Sequence, residues 1–382
     1  MSSLRPLRLL HAGVFLSSFD RLVIAPLLLV IARDLDVPLG TVTTMATAYF
    51  VGYGMMQVVW GVVSDHLGRV RTMRLALLLA ALACMATALA GNVEVLVAMR
   101  LVAGGCFAAV VPGVLIYIGD TVPVHLRHAP LTDVMTVTAL GMALATVLGA
   151  GIAELVDWRA AFAVPGVFVL ALVVLMRRLP EPARQVTPAR SVLSPLVTVL
   201  RHRWAVLVLL LAFGEGMVLL GILNYLPTAL QVHGMGATMS GAVTAGYGVA
   251  IIGFSRLVKR LSARTSSARL IGVGGCLGVL AYVSLVLDQV LVGVFIASVL
   301  LAGAWVFMHS TMQKWATEVV PHARAATVGL FASMLFLGSA VWTAFGAGYA
   351  ADRDFQGYFV VGGCVMAVLA LSAFLARRRY PA

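Results

Sequence analysis

Apolar runs of about 20 residues without a charge recur along this chain from one end to the other, and no water-soluble fold can bury so many of them. Cutting at polar and Gly/Pro punctuation predicts twelve helices, near residues 9–32, 40–62, 73–90, 94–117, 130–153, 159–176, 204–228, 238–255, 269–287, 290–312, 325–348 and 357–376. Each is about long enough to cross the hydrocarbon core of a bilayer. Composition agrees: of 382 residues, 61% are apolar and only 11% charged, against about 25% charged in ordinary globular domains. A soluble enzyme, a secreted disulfide scaffold and a disordered chain are excluded. The expected fold class is an all-α membrane protein.

The long polar interruption, Arg177 to Arg203, holds four prolines and six arginines and falls near mid-chain. It divides the sequence into an N-terminal six-helix unit (1–176), a linker (177–203) and a C-terminal six-helix unit (204–382). Basic residues beside helix ends are retained in the cytoplasm. With the N-terminus inside, 22 of the 27 Lys and Arg residues lie on cytoplasmic segments and three (Arg33, Arg159, Arg353) outside; Arg21 and Arg100 fall within spans. The expectation is a multi-pass, monomeric protein of the inner cell membrane with both termini cytoplasmic. The net charge of +12 then reflects topology, and nucleic acid is not an expected partner. The first span carries Asp20 and Arg21 at its centre and lacks a small-residue cleavage site, so it reads as a retained helix and not a signal peptide. Cys84, Cys106, Cys276 and Cys364 sit inside apolar runs without C-x-x-C spacing, so neither a disulfide framework nor a metal site is expected.

Two weak internal matches share nearly one offset. Gly52-Tyr53-Gly54 recurs as Gly246-Tyr247-Gly248, and Gly149-Ala150-Gly151 as Gly346-Ala347-Gly348, 194 and 197 residues later. Together they point to a duplicated half. Between the second and third spans the chain reads Gly61-Val-Val-Ser-Asp65-His66-Leu-Gly68-Arg69-Val-Arg71. This resembles the G-x-x-x-D-R-x-G-R-R loop of the major facilitator superfamily, with His66 in place of an arginine. Arg100 to Gly104 resembles that family's R-x-x-x-G pattern, and Trp158, Arg159 and Phe162 its W-R-x-x-F pattern. The fifth span departs from the drug and proton antiporters, carrying Ala145-Thr146 where they have Gly-Pro. The resemblance implies two pseudo-symmetric six-helix bundles, alternating access, and a central cavity lined by helices 1, 4, 7 and 10. It also implies a gating loop of Gly61, Asp65, Gly68, Arg69, Arg71 and Arg127. Asp65 is expected to meet the N-terminal end of helix 11 near Ala325 and to pair with Arg69 or Arg127, latching the cytoplasmic side.

Charges inside the membrane are the next candidates, because each costs at least ~2.5 to 3.5 kcal/mol on insertion scales. Asp20 and Glu215 each lie eleven residues into their spans, roughly 16 Å from the cytoplasmic end. Arg21 cannot share a face with Asp20, since neighbours on a helix point about 100° apart. Arg100 is buried in any orientation and needs an acceptor. The proton-coupling set is therefore Asp20, Arg21, Arg100 and Glu215, with Asp20 favoured as the proton carrier and Glu215 as the substrate-side carboxylate. A static Asp20 ion pair and a packing role for Glu215 are the alternatives. Asn224 and Tyr225 precede Pro227, which removes a backbone donor and bends the seventh helix. They and Gln57, Trp305 and His309 are candidate cavity residues, or else interhelical hydrogen-bonding groups.

No phosphate-binding loop, nucleophile elbow or H-E-x-x-H motif occurs, so neither an enzyme, a cofactor nor ATP-driven pumping is indicated. The leading expectation is proton-driven efflux of small amphipathic or cationic compounds. The alternatives are proton-coupled uptake of an organic acid held by Arg21 and Arg100 and, more remotely, a lipid scramblase or a non-transporting receptor.

Overall fold

In this computed structural model, residues 4–182, 193–262 and 264–380 are described. The twelve expected spans are all helical: α1 (Leu7–Asp34), α2 (Leu39–Leu67), α3 (Arg69–Ala88), α4 (Val93–Thr121), α5 (His128–Leu155), α6 (Ala160–Arg178), α7 (Arg203–Val232), α8 (Ala237–Leu261), α9 (Ser267–Leu287), α10 (Leu291–Val319), α11 (Pro321–Asp352) and α12 (Gln356–Arg379). Among the described residues there is no strand. Helices satisfy their own backbone groups, which is what hydrocarbon demands of a spanning segment. This is a multi-pass membrane protein. Part of the linker forms a short helix, Leu193–Arg201, while residues 183–192, with Pro188, lie outside the described residues.

Six helices make up each of two bundles, and their packing repeats. In the first, Gly141 on α5 sits against the carbonyl of Phe15 on α1; in the second, Gly338 on α11 sits against the carbonyl of Phe213 on α7. A Cβ at either glycine would strike that backbone, so the close approach requires glycine twice. The offset between the two pairs, 197 to 198 residues, nearly matches that of the sequence repeats.

Four spans are interrupted, and they are the four expected to line the cavity. α1 changes to a 3-10 turn at Ala25–Leu27, around Pro26, and α4 breaks between Phe107 and Val110. α7 passes through a π segment, Gly216–Leu220, and a 3-10 segment, Gly221–Asn224, before resuming at Leu226. α10 holds a second π segment, Trp305–His309. The break in α7 thus begins eleven residues before Pro227, deeper in the membrane than the expected bend at the helix end. Irregular backbone at membrane depth is tolerated where it is buried in protein or lines a cavity, and π segments favour functional sites.

With an even number of spans, both described chain ends lie on one face, here called the near face. On the opposite, far face, hydrogen bonds tie the bundles together. Gln231 Nε2 on α7 donates to the Pro26 carbonyl (2.8 Å), and Thr228 Oγ1 to that of Ala25 (3.4 Å). Glu154, at the end of α5, accepts from the Thr238 amide (3.0 Å) and hydroxyl (2.6 Å), capping the first turn of α8. Contact between α2 and α11 extends from Gly40 beside Ala347 to Gly54 beside Ser333. Towards the near face the same pair has room, since a Cβ at Gly61 or Gly329 would meet no atom within 4 Å.

The segment read as a loop between α2 and α3 is helical except at Gly68. Gly68 has φ +104°, and the Glu181 carboxyl lies 2.7 Å from where its Cβ would stand, so glycine is required there on both counts. Glu181 accepts from the amides of Val70 (3.1 Å) and Arg71 (3.2 Å), an anionic cap on α3.

Candidate functional site

Two charge centres lie at mid-membrane, one in each bundle. In the first, Arg100 on α4 grips Asp20 on α1. Nη1 donates to Oδ1 (3.0 Å), and Nη2 donates to Oδ2 (3.0 Å) and to the Asp20 carbonyl (2.9 Å). Cys84 Sγ donates to Oδ1 as well (3.3 Å). The guanidinium lies over the rings of Tyr49 (4.5 Å) and Phe162 (5.1 Å), and the side chains of Arg100 and Asp20 are 0% and 1% exposed. This is a dry, two-pronged ion pair inside one bundle, the static alternative named for Asp20. The W-R-x-x-F residues support the same bundle: Trp158 Nε1 and Arg159 Nη1 each donate to Asp34 at 2.9 Å, and the Phe162 ring lies against the Arg100 guanidinium.

Arg21, one residue on, points the other way, as the 100° rule requires. Its guanidinium lies 5.2 Å from the Tyr53 ring on α2 and 5.3 Å from the Phe336 ring on α11, and those rings are 4.0 Å apart. It therefore sits at the seam between the bundles. It is 7% exposed, its Nε has no hydrogen-bond partner, and no carboxylate among the described residues pairs with it.

Glu215 on α7 is fully buried at the end of the regular helix, where the π segment begins. Its Oε2 lies 3.2 Å from Nδ1 of His309, the last residue of the π segment of α10, while Oε1 is unpartnered. The imidazole stacks on Trp305 at 4.0 Å with an interplanar angle of 11°. Tyr247 on α8 lies within electrostatic reach of both Arg21 and Glu215, and its hydroxyl is buried without a partner. Gln57, buried one turn beyond Tyr53 on the same face of α2, extends the site towards the near face.

The structure thus joins Glu215, His309 and Trp305 in the second bundle and sets Arg21 at the seam, with Tyr247 within electrostatic reach of both Arg21 and Glu215. It separates two other expected cavity residues from them. Asn224 donates to Thr343 Oγ1 (3.1 Å) and Tyr225 donates to the Thr343 carbonyl, so both are buried struts between α7 and α11. The early break in α7 turns them towards α11. Tyr53, Tyr247 and Phe336 were not singled out from sequence, although Tyr53 and Tyr247 are the centres of the repeated Gly-Tyr-Gly triplets.

Of the contacts expected of Asp65, the one with Arg69 is present (2.6 Å), and the Asp65 side chain is 67% exposed. Arg69 also reaches Asp120 at the end of α4 (3.5 Å). Arg127 does not join them: it donates to the carbonyls of Gly119 and Val122, closing the end of α4. Gly61 has open space beside it, and the Arg71 side chain lies against a groove between α3 and α6. Among the described residues no cluster of His, Cys, Asp or Glu has the makings of a metal site.

The sequence profile of the Major Facilitator Superfamily matches residues 10–343, most of the chain. The chain belongs to the Major Facilitator Superfamily. Among curated relatives of this superfamily member, a triacylglyceride transporter of Mycolicibacterium hassiacum is 30% identical over 58% of this chain and 40% of its own length. The 4-hydroxybenzoate transporter PcaK of Pseudomonas aeruginosa is 27% identical over 48% of this chain and 43% of its own. The chain thus spans under half the length of these relatives. Solved structures share the superfamily fold at low identity. A nucleoside transporter, NupG, superposes with TM-score 0.80 at 13% identity, covering 99% of both chains. A D-xylose–proton symporter gives 0.76 at 17%, covering 96% of both. An inward-facing bacterial homologue of the lysosomal transporter Spinster gives 0.79 at 16%, covering 98% of this chain and 96% of that one.

Proposed function

We propose that this protein is a proton-coupled secondary transporter whose cargo is a small organic anion with an apolar or aromatic body. The carrying observation is Arg21: a guanidinium at the seam of the two bundles, flanked by aromatic rings and without a carboxylate partner among the described residues. A carboxylate in that position gains a charge-assisted, two-pronged contact, and the rings of Tyr53 and Phe336 receive its apolar body. Glu215 and His309 supply the proton site. An imidazole nitrogen can accept or donate a proton, and Glu215 has an oxygen free to receive one. Adding a proton to this pair makes the site more positive and strengthens anion binding. By linkage the anion then strengthens proton binding equally, which favours their movement together. The role first expected of Asp20 thereby passes to Glu215: Asp20 and Arg100 brace the first bundle, and Glu215 carries the proton.

The remaining elements fit alternating access. Units 1–176 and 204–382 rock about the site, joined by the linker 177–203, as a monomer in the inner cell membrane with both termini cytoplasmic. The conformation described here faces inward, and Asp65 engages α11 near Ala325 when the near face closes.

Proton-driven efflux of amphipathic cations is the second reading, and the unpartnered Oε1 of Glu215 favours it. Proteoliposomes separate the two. With an inwardly directed proton gradient, and protein-free liposomes subtracting diffusion of the free acid, 4-hydroxybenzoate should accumulate and tetraphenylphosphonium should not be expelled. Arg21→Gln should lower the affinity for the acid about 10-fold to 100-fold, as expected for a hydrogen bond to a charged group. Cation export that survives Arg21→Gln and fails in Glu215→Gln would decide for efflux.

A further inference from the structure

The molecule carries a second basic site, on its membrane-facing side. A groove of ≈ 380 Å³ runs between α3 and α6 and is lined by Arg71, Arg74, Leu75 and Leu78 from one helix and by Leu170, Val173, Val174 and Arg177 from the other. On α3 the lining follows the spacing i, i+3, i+4, i+7, and on α6 the same spacing runs with its basic residue last. Because the helices are antiparallel, all three arginines gather at the near-face end and the apolar residues line the rest. From Arg71 to Leu78 the groove extends about 10 Å along the helix, most of the depth of one leaflet's hydrocarbon.

None of the three guanidinium groups has a carboxylate partner among the described residues. Arg74 Nε is buried with no hydrogen-bond partner. Glu181 does not neutralise them by pairing, because its oxygens accept from the amides of Val70 and Arg71. The apolar floor is open to lipid, with Leu75, Leu78 and Val174 exposed. Arginine is the side chain best suited to two-pronged phosphate contact. Unpaired cations above an apolar slot match a molecule with an anionic phosphate head and a hydrocarbon tail.

We propose that this groove holds one anionic diacyl phospholipid, its phosphate among Arg71, Arg74 and Arg177 and an acyl chain against Leu75, Leu78, Leu170 and Val174. The lipid bridges the start of α3 to the end of α6, and so steadies the segment that carries Gly68 and Arg69. Basic groups near a membrane surface contribute about 1 kcal/mol each towards anionic lipid, so three predict a preference on the order of 100-fold over zwitterionic lipid.

The test is native mass spectrometry of the full-length protein released from phosphatidylcholine nanodiscs doped with phosphatidylglycerol. The wild type should retain one phosphatidylglycerol. The variant with Arg71→Gln, Arg74→Gln and Arg177→Gln together should bind it on the order of 100-fold more weakly, whereas Arg260→Gln, elsewhere on the near face, should not. If the triple variant does not fold, Arg74→Lys with Arg177→Lys keeps the charge and should weaken retention less than 10-fold, while still preferring phosphatidylglycerol. Thermal melts give a second reading: phosphatidylglycerol should raise the wild-type melting temperature, and glycerol 3-phosphate at equal concentration should not. Equal retention by wild type and triple variant, equal loss in Arg260→Gln, or equal stabilisation by glycerol 3-phosphate would each overturn the proposal.

Discussion

Asp20 and Glu215 occupy matching depths in matching helices, yet their surroundings differ in every respect that decides what a buried acid can do. Asp20 has both oxygens and its backbone carbonyl engaged by an arginine, is closed from solvent, and lies within a single bundle. Glu215 has one oxygen free, a histidine that is 15% exposed as its partner, and π-helical backbone on both sides of the pair. Arginine stays charged at any physiological pH, whereas imidazole does not. The difference teaches that burial alone does not make a carboxyl a proton carrier. Its partner must be able to give up its charge, and its backbone must be able to yield.

The sharpest way to break this comparison is to treat the two pairs alike. Arg100→Gln leaves Asp20 buried and uncompensated and should cost about 3 to 5 kcal/mol of stability. Asp20→Asn should also be strongly destabilising, and the double variant should recover much of the loss. Thermal melts in one detergent measure all three, and additive losses would contradict a tight pair.

Glu215→Gln should behave in the opposite manner, changing stability by less than about 1 kcal/mol because a neutral amide can still meet His309. Its effect falls on coupling. A gradient of one pH unit supports at most about tenfold accumulation per proton, and the variant should fall to simple equilibration while exchange of labelled for unlabelled substrate persists. Retained accumulation with lost exchange would reverse the assignment.

Glu154→Gln sharpens the comparison at a smaller scale. Removing a charge from the first turn of α8 should weaken the far-face closure by at most about 1 kcal/mol. Labelling of a cysteine introduced at Ala25 from the far side should rise a few-fold, with coupling intact. Unchanged labelling would show that the Glu154 cap contributes nothing to closure.

The sequence made the spans legible because hydrocarbon imposes one requirement on every residue of a run. It left the breaks in α4 and α10 hidden, since neither Ala108-Ala109 nor Trp305 to His309 contains a helix breaker. Pro227 marked α7 correctly but placed the bend too late, and Asn224 and Tyr225 were assigned to the pathway on that account. For Asp20 and Arg21 the 100° separation meant that one faces the bundle core, but which one depends on Arg100, 80 residues away. Glu215 and His309 were each visible as polar residues in apolar runs. Their pairing across 94 residues is set by two π segments that no local pattern announces.

The central claim is that anion binding at Arg21 and proton binding at Glu215 and His309 reinforce each other. Purified protein in weakly buffered detergent at neutral pH tests it directly, because 4-hydroxybenzoate is then fully ionised at its carboxyl and any pH change comes from the protein. Addition of its sodium salt, adjusted beforehand to the pH of the protein solution, should raise the pH, reporting proton uptake by the protein, and the signal should vanish in Glu215→Gln but persist in Glu154→Gln. Proton release on addition of the salt, or an undiminished uptake in Glu215→Gln, would contradict the account.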